Sequence, residues 1–289
     1  MNEPLISVII PSYNRATDLK RAIRSVINQS YKNWELIVVD NSSSDNTDDV
    51  VTSFQNPRIT LLKIKNHGVI AASRNLGFKN AKGEFIALLD SDDWWKPKKL
   101  ELVADALNKG ADIVYHDLYL VKDQKQKFYR RETKTRELRS PVYTDLLMNG
   151  NGILNSSVVF RSSLIHEIGY LNEDREFIAW EDFDYWLRLA KRNSKFVKIK
   201  PILGYYWSGG GNESNDDRTL NILNSFLENY SKDLIKNPWW IHYIRGKIYY
   251  NRQNYRRAIE EFLDVKDCDF KFKLKSFMLI LASKFQFKE

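Results

Sequence analysis

Short apolar runs alternate with longer polar or periodic stretches through the first half of the chain. Ser7–Pro11 (SVIIP), Glu35–Asn41 (ELIVVDN), Ile59–Ile64 and the run inside Glu84–Trp95 (EFIALLDSDDWW) are each too short for a helix and are bounded by polar residues. This pattern fits strands buried on both faces, as in a parallel sheet covered by helices. Between them, Leu19, Ala22, Ile23, Val26 and Ile27 share one helical face, with Thr17 or Asp18 expected as the cap. Further helices are expected to about Phe54, over Asn66–Asn80 and over Pro97–Asn108, the last with Pro at its first turn and Gly110 just past its end. The βαβα order predicts a doubly wound, mostly parallel α/β sheet.

Beyond the central run, Ala111–Val121 reads as a strand or hairpin arm. Lys122–Arg139 is charged and aperiodic, so a surface excursion or mobile loop is expected. Asn149–Asn155 is a turn-rich loop before a strand at Ser156–Arg161. Trp180-Glu181-Asp182 opens an amphipathic helix using Phe183, Trp186, Leu187 and Ala190. Phe196–Trp207 is a strand pair or one long strand, and Ser208–Asn212 (SGGGN) is the most flexible segment by composition. From Asp217 the pattern is helical, and Trp239–Tyr250 with Tyr255–Leu263 resembles one tetratricopeptide-like pair, too few to stack as a solenoid. Two domains are expected, 1–216 and a helical appendage, 217–289.

At 289 residues with 43% hydrophobic content, the chain can build a large core. The single cysteine, Cys268, excludes an internal disulfide and a cysteine-based zinc site, in keeping with a reducing compartment. MNEPLISVIIPSYN lacks a basic region followed by a long apolar core, so no secretory signal is expected. No apolar stretch approaches the roughly 18 residues that span a bilayer. The net charge of +8 concentrates after Trp240, where basic residues interleave with Phe, Tyr and Leu. Such a surface suits nucleic acid or an anionic membrane, and equally a solvated helix face.

The candidate chemistry begins at Asp90, Ser91, Asp92 and Asp93, which end the central strand where ligands of open α/β sheets collect. These clustered carboxylates repel one another, and a hard cation such as Mg2+ or Mn2+, shared with a substrate's phosphates, would offset that. The plainer reading is an acidic turn before a helix. The first strand end, Pro11-Ser12-Tyr13-Asn14, lacks a glycine-rich phosphate turn. Asp40 can accept the imino N–H of a uracil ring on which Tyr13 stacks, or serve as a strand-end turn residue. Arg74 can bind phosphate or base, or pair with the carboxylates. Glu181 and Asp182 suit a helix start, while Asp182 as a general base beside Trp180 and Trp186 is the alternative. His67 reads as a loop residue.

Taken together and in order, SVIIPSYNR, ELIVVDNSSSDNT, SRNLGFKNAKGEF, LLDSDDWW and WEDFDYWLRL resemble the family 2 glycosyltransferases of GT-A fold, over roughly Leu5 to Trp207. The resemblance implies inverting transfer from a nucleotide-diphosphate sugar, UDP-linked or related, to a hydroxyl of a glycan or lipid-linked acceptor in bacterial surface polysaccharide synthesis. It implies donor binding by Pro11, Tyr13, Asn14, Asp40, Arg74, Asp90, Ser91 and Asp92, and Mn2+ or Mg2+ at Asp92 and Asp90. It further implies proton removal by Asp182 and acceptor contacts at Asn151, Asn155, Trp180 and Glu181. The family's usual histidine after the last strand is absent. Tyr205-Tyr206-Trp207-Ser208 runs into Gly209-Gly210-Gly211, which leaves a third contact to Ser208, Asn212 or water. A sugar nucleotidyltransferase would need a glycine-rich, lysine-bearing loop where PSYNRATD stands. A non-catalytic nucleotide-sugar-binding module acting through its tail is the alternative function, and no nucleic-acid module pattern appears. The expected location is cytoplasmic, at the inner face of the membrane if the basic tail anchors it.

Overall fold

A computed structural model describes residues 3–123, 132, 133, 135–209 and 216–286. Contacts group the chain into two compact units, Met1–Leu138 with Ile153–Asn212, and Arg139–Gly152 with Glu213–Glu289. The second division falls beside the expected 216/217 boundary. Residues 139–152, which fall within the expected 1–216 domain, group with the C-terminal helices.

The first unit starts with β1 (Ile6–Ser12), α1 (Ala16–Ile27), β2 (Trp34–Asp40), α2 (Thr47–Thr52), β3 (Ile59–Lys63), α3 (Ile70–Asn80) and β4 (Phe85–Leu88). After the acidic turn come β5 (Trp94–Trp95), α4 (Lys99–Asn108), β6 (Ile113–His116), β7 (Leu118–Val121) and β8 (Glu132–Thr133). A helix in the second unit, α5 (Val142–Asn149), intervenes before β9 (Val159–Arg161), α6 (Ser163–Ile168), α7 (Glu181–Lys191), β10 (Phe196–Ile199) and β11 (Gly204–Trp207). The seven-stranded sheet has the order β10-β6-β9-β4-β1-β2-β3. Within it only β9 runs against its neighbours, β4 and β6.

Strand alternation explains the two helix layers. Val8, Ile10, Leu36, Val38, Phe85 and Ala87 point to the face covered by α1 and α4. On the other face, α3 comes so close to β1 that a Cβ at Gly77 would lie 2.5 Å from Ile9 Cγ2. A larger residue there would lift α3, and Arg74 with it, off the sheet. The expected cap at Thr17 or Asp18 is corrected: both lie inside α1, and the Ala16 amide donates to Asp45 Oδ2 at 2.9 Å, from the loop before α2.

Ala111–Val121 and Phe196–Trp207 each serve two sheets. β6 and β10 close the large sheet, while β7 and β11 form a small one in the order β5-β11-β7-β8. Part of the stretch expected as a surface excursion is built into the fold: Thr135 is buried, and its amide and hydroxyl both donate to Asp117 Oδ1. Residues 124–131 and 134 of that stretch, and Gly210–Asn212 of the glycine run, lie outside the described residues.

In the second unit α5 joins α8 (Asp216–Asn229), α9 (Trp239–Asn251), α10 (Tyr255–Leu263) and α11 (Phe270–Gln286). The Trp240 indole donates to Leu147 O and that of Trp239 to Asn149 Oδ1. Ala258, Phe262 and Val265 form the buried centre, with Trp239, Tyr243, Leu279 and Ile280 around them. No described helix is long and apolar enough to cross a membrane.

Candidate active site

The carboxyl ends of β1, β2 and β4 open on a cavity of about 270 Å³ lined by Pro11, Ser12, Tyr13, Arg15, Asn41, Asn66, Gly68, Ile70, Ser73 and Ser91. Parallel strands end here together, which is why an open α/β sheet places ligands at this edge. Gly68 takes φ +86°, a left-handed conformation that suits glycine. Ser12 Oγ is buried without a partner among the described residues, and an incoming polar ligand could satisfy it.

Asp40 is fully buried and stands behind the cavity wall, where Asn41 takes the lining position. Its carboxylate accepts the Ser43 amide at 3.0 Å, the Ser43 hydroxyl, and Lys63 Nζ at 2.8 Å. Ser43 Oγ in turn accepts the Asn14 amide at 2.8 Å, and Asn14 Oδ1 accepts the Ser44 amide at 2.8 Å. The two loops at this end of the cavity are thereby tied together. Tyr13 stands out from them, 57% exposed. The NSSS run was legible as a polar turn, but its cross-loop bonding has no sequence signature. His67 is an exposed loop residue at φ +51°.

The acidic turn divides its carboxylates between two tasks. Asp93 is buried and accepts the Trp207 amide at 2.8 Å, joining the turn to β11. Burial, then the charges of Asp90 and Asp92, raise its pKa well above the usual carboxylate range, and its bond to the Trp207 amide makes it a structural group. Asp90 faces the other way. Its Oδ1 accepts Arg74 Nη2 at 2.8 Å and Asn155 Nδ2 at 3.2 Å, and its amide donates to Ser156 Oγ at 3.0 Å. Asp92 is half-buried, its pKa pushed up to about 6 by burial and by Asp90's charge, against a smaller opposing pull from Arg15. The Asp92 carbonyl accepts Arg21 Nη2 at 2.8 Å, and Arg21 lies over the Trp94 ring at 3.9 Å.

Arg74 is the junction. Its Nη1 donates to Glu181 Oε1 at 2.6 Å while Nη2 holds Asp90, so the start of α7 and the end of β4 meet at one buried guanidinium. Glu181 Oε2 and Arg74 Nε are buried without partners among the described residues. Asp182 follows on α7, its pKa pushed up to about 7 by burial and by the charge of Glu181, with Arg74 pulling the other way. A carboxyl poised there can exchange a proton near neutrality, as a general base requires.

Two expected neighbours have other work. Trp180 is buried, stacks on Phe177 at 4.4 Å and donates to Glu176 O at 2.6 Å. Trp186 is fully buried against Phe160 and Tyr185, so it packs the core and is no wall of an open pocket. Asn155 joins Asp90, whereas Asn151 falls in the other compact unit. Ser208 donates through its amide and hydroxyl to Val121 O, at 2.8 and 3.2 Å, and Asn212 lies outside the described residues. Ser156, which fixes the Asp90 main chain, was missed because nothing in NSS separates it from its neighbours.

Whether these residues suit a divalent cation is decided by the donor set. Among the described residues no three carboxylate, histidine or cysteine side chains gather as a metal site. Asp92 and Asp90 offer two carboxylates on one turn, Asp90 shared with Arg74, and Mg2+ takes one or two carboxylates from protein when substrate phosphates and water complete its shell. The set fits a cation carried with a diphosphate.

A mostly parallel sheet, a cavity at its carboxyl edge and acidic groups drawn together by one arginine define a GT-A-type α/β fold. Residues 7–167 match the family described as glycosyl transferase family 2, and the chain belongs to that family. It is 35% identical over 239 residues to the UDP-Glc:alpha-D-GlcNAc-diphosphoundecaprenol beta-1,3-glucosyltransferase WfgD of Escherichia coli, covering 79% of this chain and 89% of that one. Glycosyltransferase GlyG of Streptococcus pneumoniae is 28% identical over 80% of this chain and 79% of its own. Among solved structures, S. aureus TarS residues 1–349 in complex with UDP-GlcNAc superposes with TM-score 0.64 at 18% identity, over 96% of this chain and 79% of that one. Against the longer TarS chain the match spans 49% of that protein, with TM-score 0.61 at 17% identity over 91% of this chain.

Proposed function

We propose that this glycosyltransferase moves a sugar from a UDP-sugar or a related nucleotide-diphosphate sugar to a hydroxyl of a glycan or lipid-linked acceptor in bacterial surface polysaccharide synthesis, with inversion at the anomeric carbon. The observation that carries the reading is Arg74, which bonds Asp90 on the donor side and Glu181 beside Asp182 on the other. The relative from Escherichia coli bears a name with a UDP-glucose donor and a diphosphoundecaprenol-linked acceptor, which supports this donor and acceptor class.

In this reading the nucleoside occupies the cavity by Pro11–Tyr13, with Tyr13 against the base and Asp40 setting the loop shape from behind. Asp182 takes the acceptor hydroxyl proton as that oxygen attacks the anomeric carbon from the face opposite the diphosphate. The bond to the β-phosphate oxygen breaks, and the nucleoside diphosphate leaves with the electron pair. One displacement inverts the configuration, and no sugar–enzyme bond forms. Asp92 and Asp90 would hold Mn2+ or Mg2+, which supplies charge neutralisation to the departing diphosphate. Arg74 stays with its carboxylates and keeps them in place.

The test is a panel of nucleotide sugars offered with Mn2+ and scored for slow hydrolysis without acceptor. Preferential hydrolysis of one donor is expected. Nucleotide binding with no turnover of any donor, even with lipid-linked acceptors, would make the chain a binding module instead.

A further inference from the structure

We infer that one face of α11 lies on an anionic membrane surface, which adds an attachment site to the lipid-linked acceptor reading above and rests on it only for its biological purpose. Phe270, Leu274, Phe277, Met278, Leu281 and Phe285 are all exposed, the first and last at 77% and 76%. At ~100° per residue these six positions fall within an arc of roughly 100°, a continuous stripe along the helix.

The opposite side of the same helix is already used. Phe272, Ser276, Leu279, Ile280 and Ser283 are buried or half-buried, and Phe272 packs on Trp239 and Tyr243 at 4.7 and 5.3 Å. The exposed stripe is therefore a second apolar face, and folding of the described unit makes no use of it. Exposed aromatic and aliphatic side chains in such a row mark an interaction surface.

Charge selects the occupant. On the same helical wheel Lys273 and Lys284 border one edge of the stripe and Lys271 and Lys275 the other. The helix carries no acidic residue from Phe270 to Gln286. An apolar strip between two rows of lysine is the layout of a helix lying in the headgroup plane: the rings and Leu side chains enter the acyl boundary, and the lysine stems reach up to lipid phosphates. A groove lined by Leu263, Lys273 and Phe277 among others extends the apolar surface towards α10.

The test is flotation of the full chain with phosphatidylglycerol-containing vesicles and with phosphatidylcholine vesicles. Binding to the first and not the second is expected, weakened by salt. Because these side chains are exposed, Phe277→Asp with Leu281→Asp should keep the fold and abolish flotation, and Lys273→Glu should weaken it about five-fold or more. Equal flotation of the double variant, or no flotation of the wild type, overturns the inference. A wild-type dimer that the double variant converts to monomer, without vesicle binding, would assign the face to a second copy instead. Donor hydrolysis measured on the same samples separates the two readings: loss of flotation with hydrolysis intact touches only the membrane face. Flotation without hydrolysis touches only the transferase.

Discussion

Arg74 and Glu181 are bonded at 2.6 Å although 107 residues separate them, and both are buried. This one bond fixes where α7 begins relative to the strand end that carries Asp90. Buried ion pairs contribute little net stability, but removing one partner leaves the other charge stranded. Arg74→Ala should therefore destabilise the fold by about 3–5 kcal/mol, read from denaturant unfolding. Arg74→Lys, a single ammonium that cannot fork to both carboxylates, should recover only part of that and lose donor hydrolysis.

The proton-accepting role proposed for Asp182 has a pH signature. With a pKa pushed up to about 7, its active carboxylate form is gained as pH rises through neutrality. Transfer should rise over that range in the wild type and be abolished in Asp182→Asn, with UDP binding largely kept. Its folded pKa lies above the ordinary carboxylate value, so its contribution to stability is full below about 4 and lost as pH rises through about 7. The wild type should gain stability relative to Asp182→Asn as pH falls across that window. Ordinary turnover by Asp182→Asn would remove it from the mechanism.

Asp90 of the turn is paired with Arg74 at 2.8 Å, so the half-buried Asp92 is the carboxylate on which a bound cation would depend most. Asp92→Ala should remove most of the Mn2+-dependent increment in UDP affinity and leave the metal-independent part, a difference that calorimetry with and without Mn2+ would read.

Tyr13 projects into solvent beside the cavity, so its loss should cost no stability. If it stacks on the base, Tyr13→Ala should weaken UDP by ~1–3 kcal/mol, with unchanged thermal unfolding. Unchanged affinity would take Tyr13 out of the donor site.

Lys99 is fully buried, its Nζ 3.5 Å from the Trp95 ring centroid and without a hydrogen-bond partner among the described residues. Burial lowers its pKa well below the ordinary lysine value, so the folded state holds that proton less tightly than the unfolded chain does. The sign is a stability cost that grows as pH falls below the unfolded pKa. Lys99→Met should stabilise the protein by about 1 kcal/mol, a rise of ~2–4 °C in Tm, more at lower pH. A destabilised Lys99→Met would mean that the amine holds an internal water or a charge.

Much of the sheet was legible because each strand is a short apolar run with a polar stop, and the motif order carried the family. What stayed hidden has physical causes. Trp186 sits on the predicted apolar face of α7, and only packing shows that it is sealed by Phe160 and Tyr185. Asp93 is indistinguishable in sequence from Asp90 and Asp92, yet the Trp207 amide turns it into a structural group. Val142–Asn149 was read past because an eight-residue helix between charged and turn-rich stretches has little periodicity to show. The doubled apolar character of α11 hid its two faces, since an inner and an outer stripe blur into an unpatterned run.

If the nucleoside binds by Pro11–Tyr13 as proposed, the Asp40–Ser43–Asn14 chain of bonds presents it with two loops already tied together. Less of the donor's binding energy would then go into ordering these two loops. On that reading, variation farther along the cleft could change which sugar is held while leaving the hold on the base as it is.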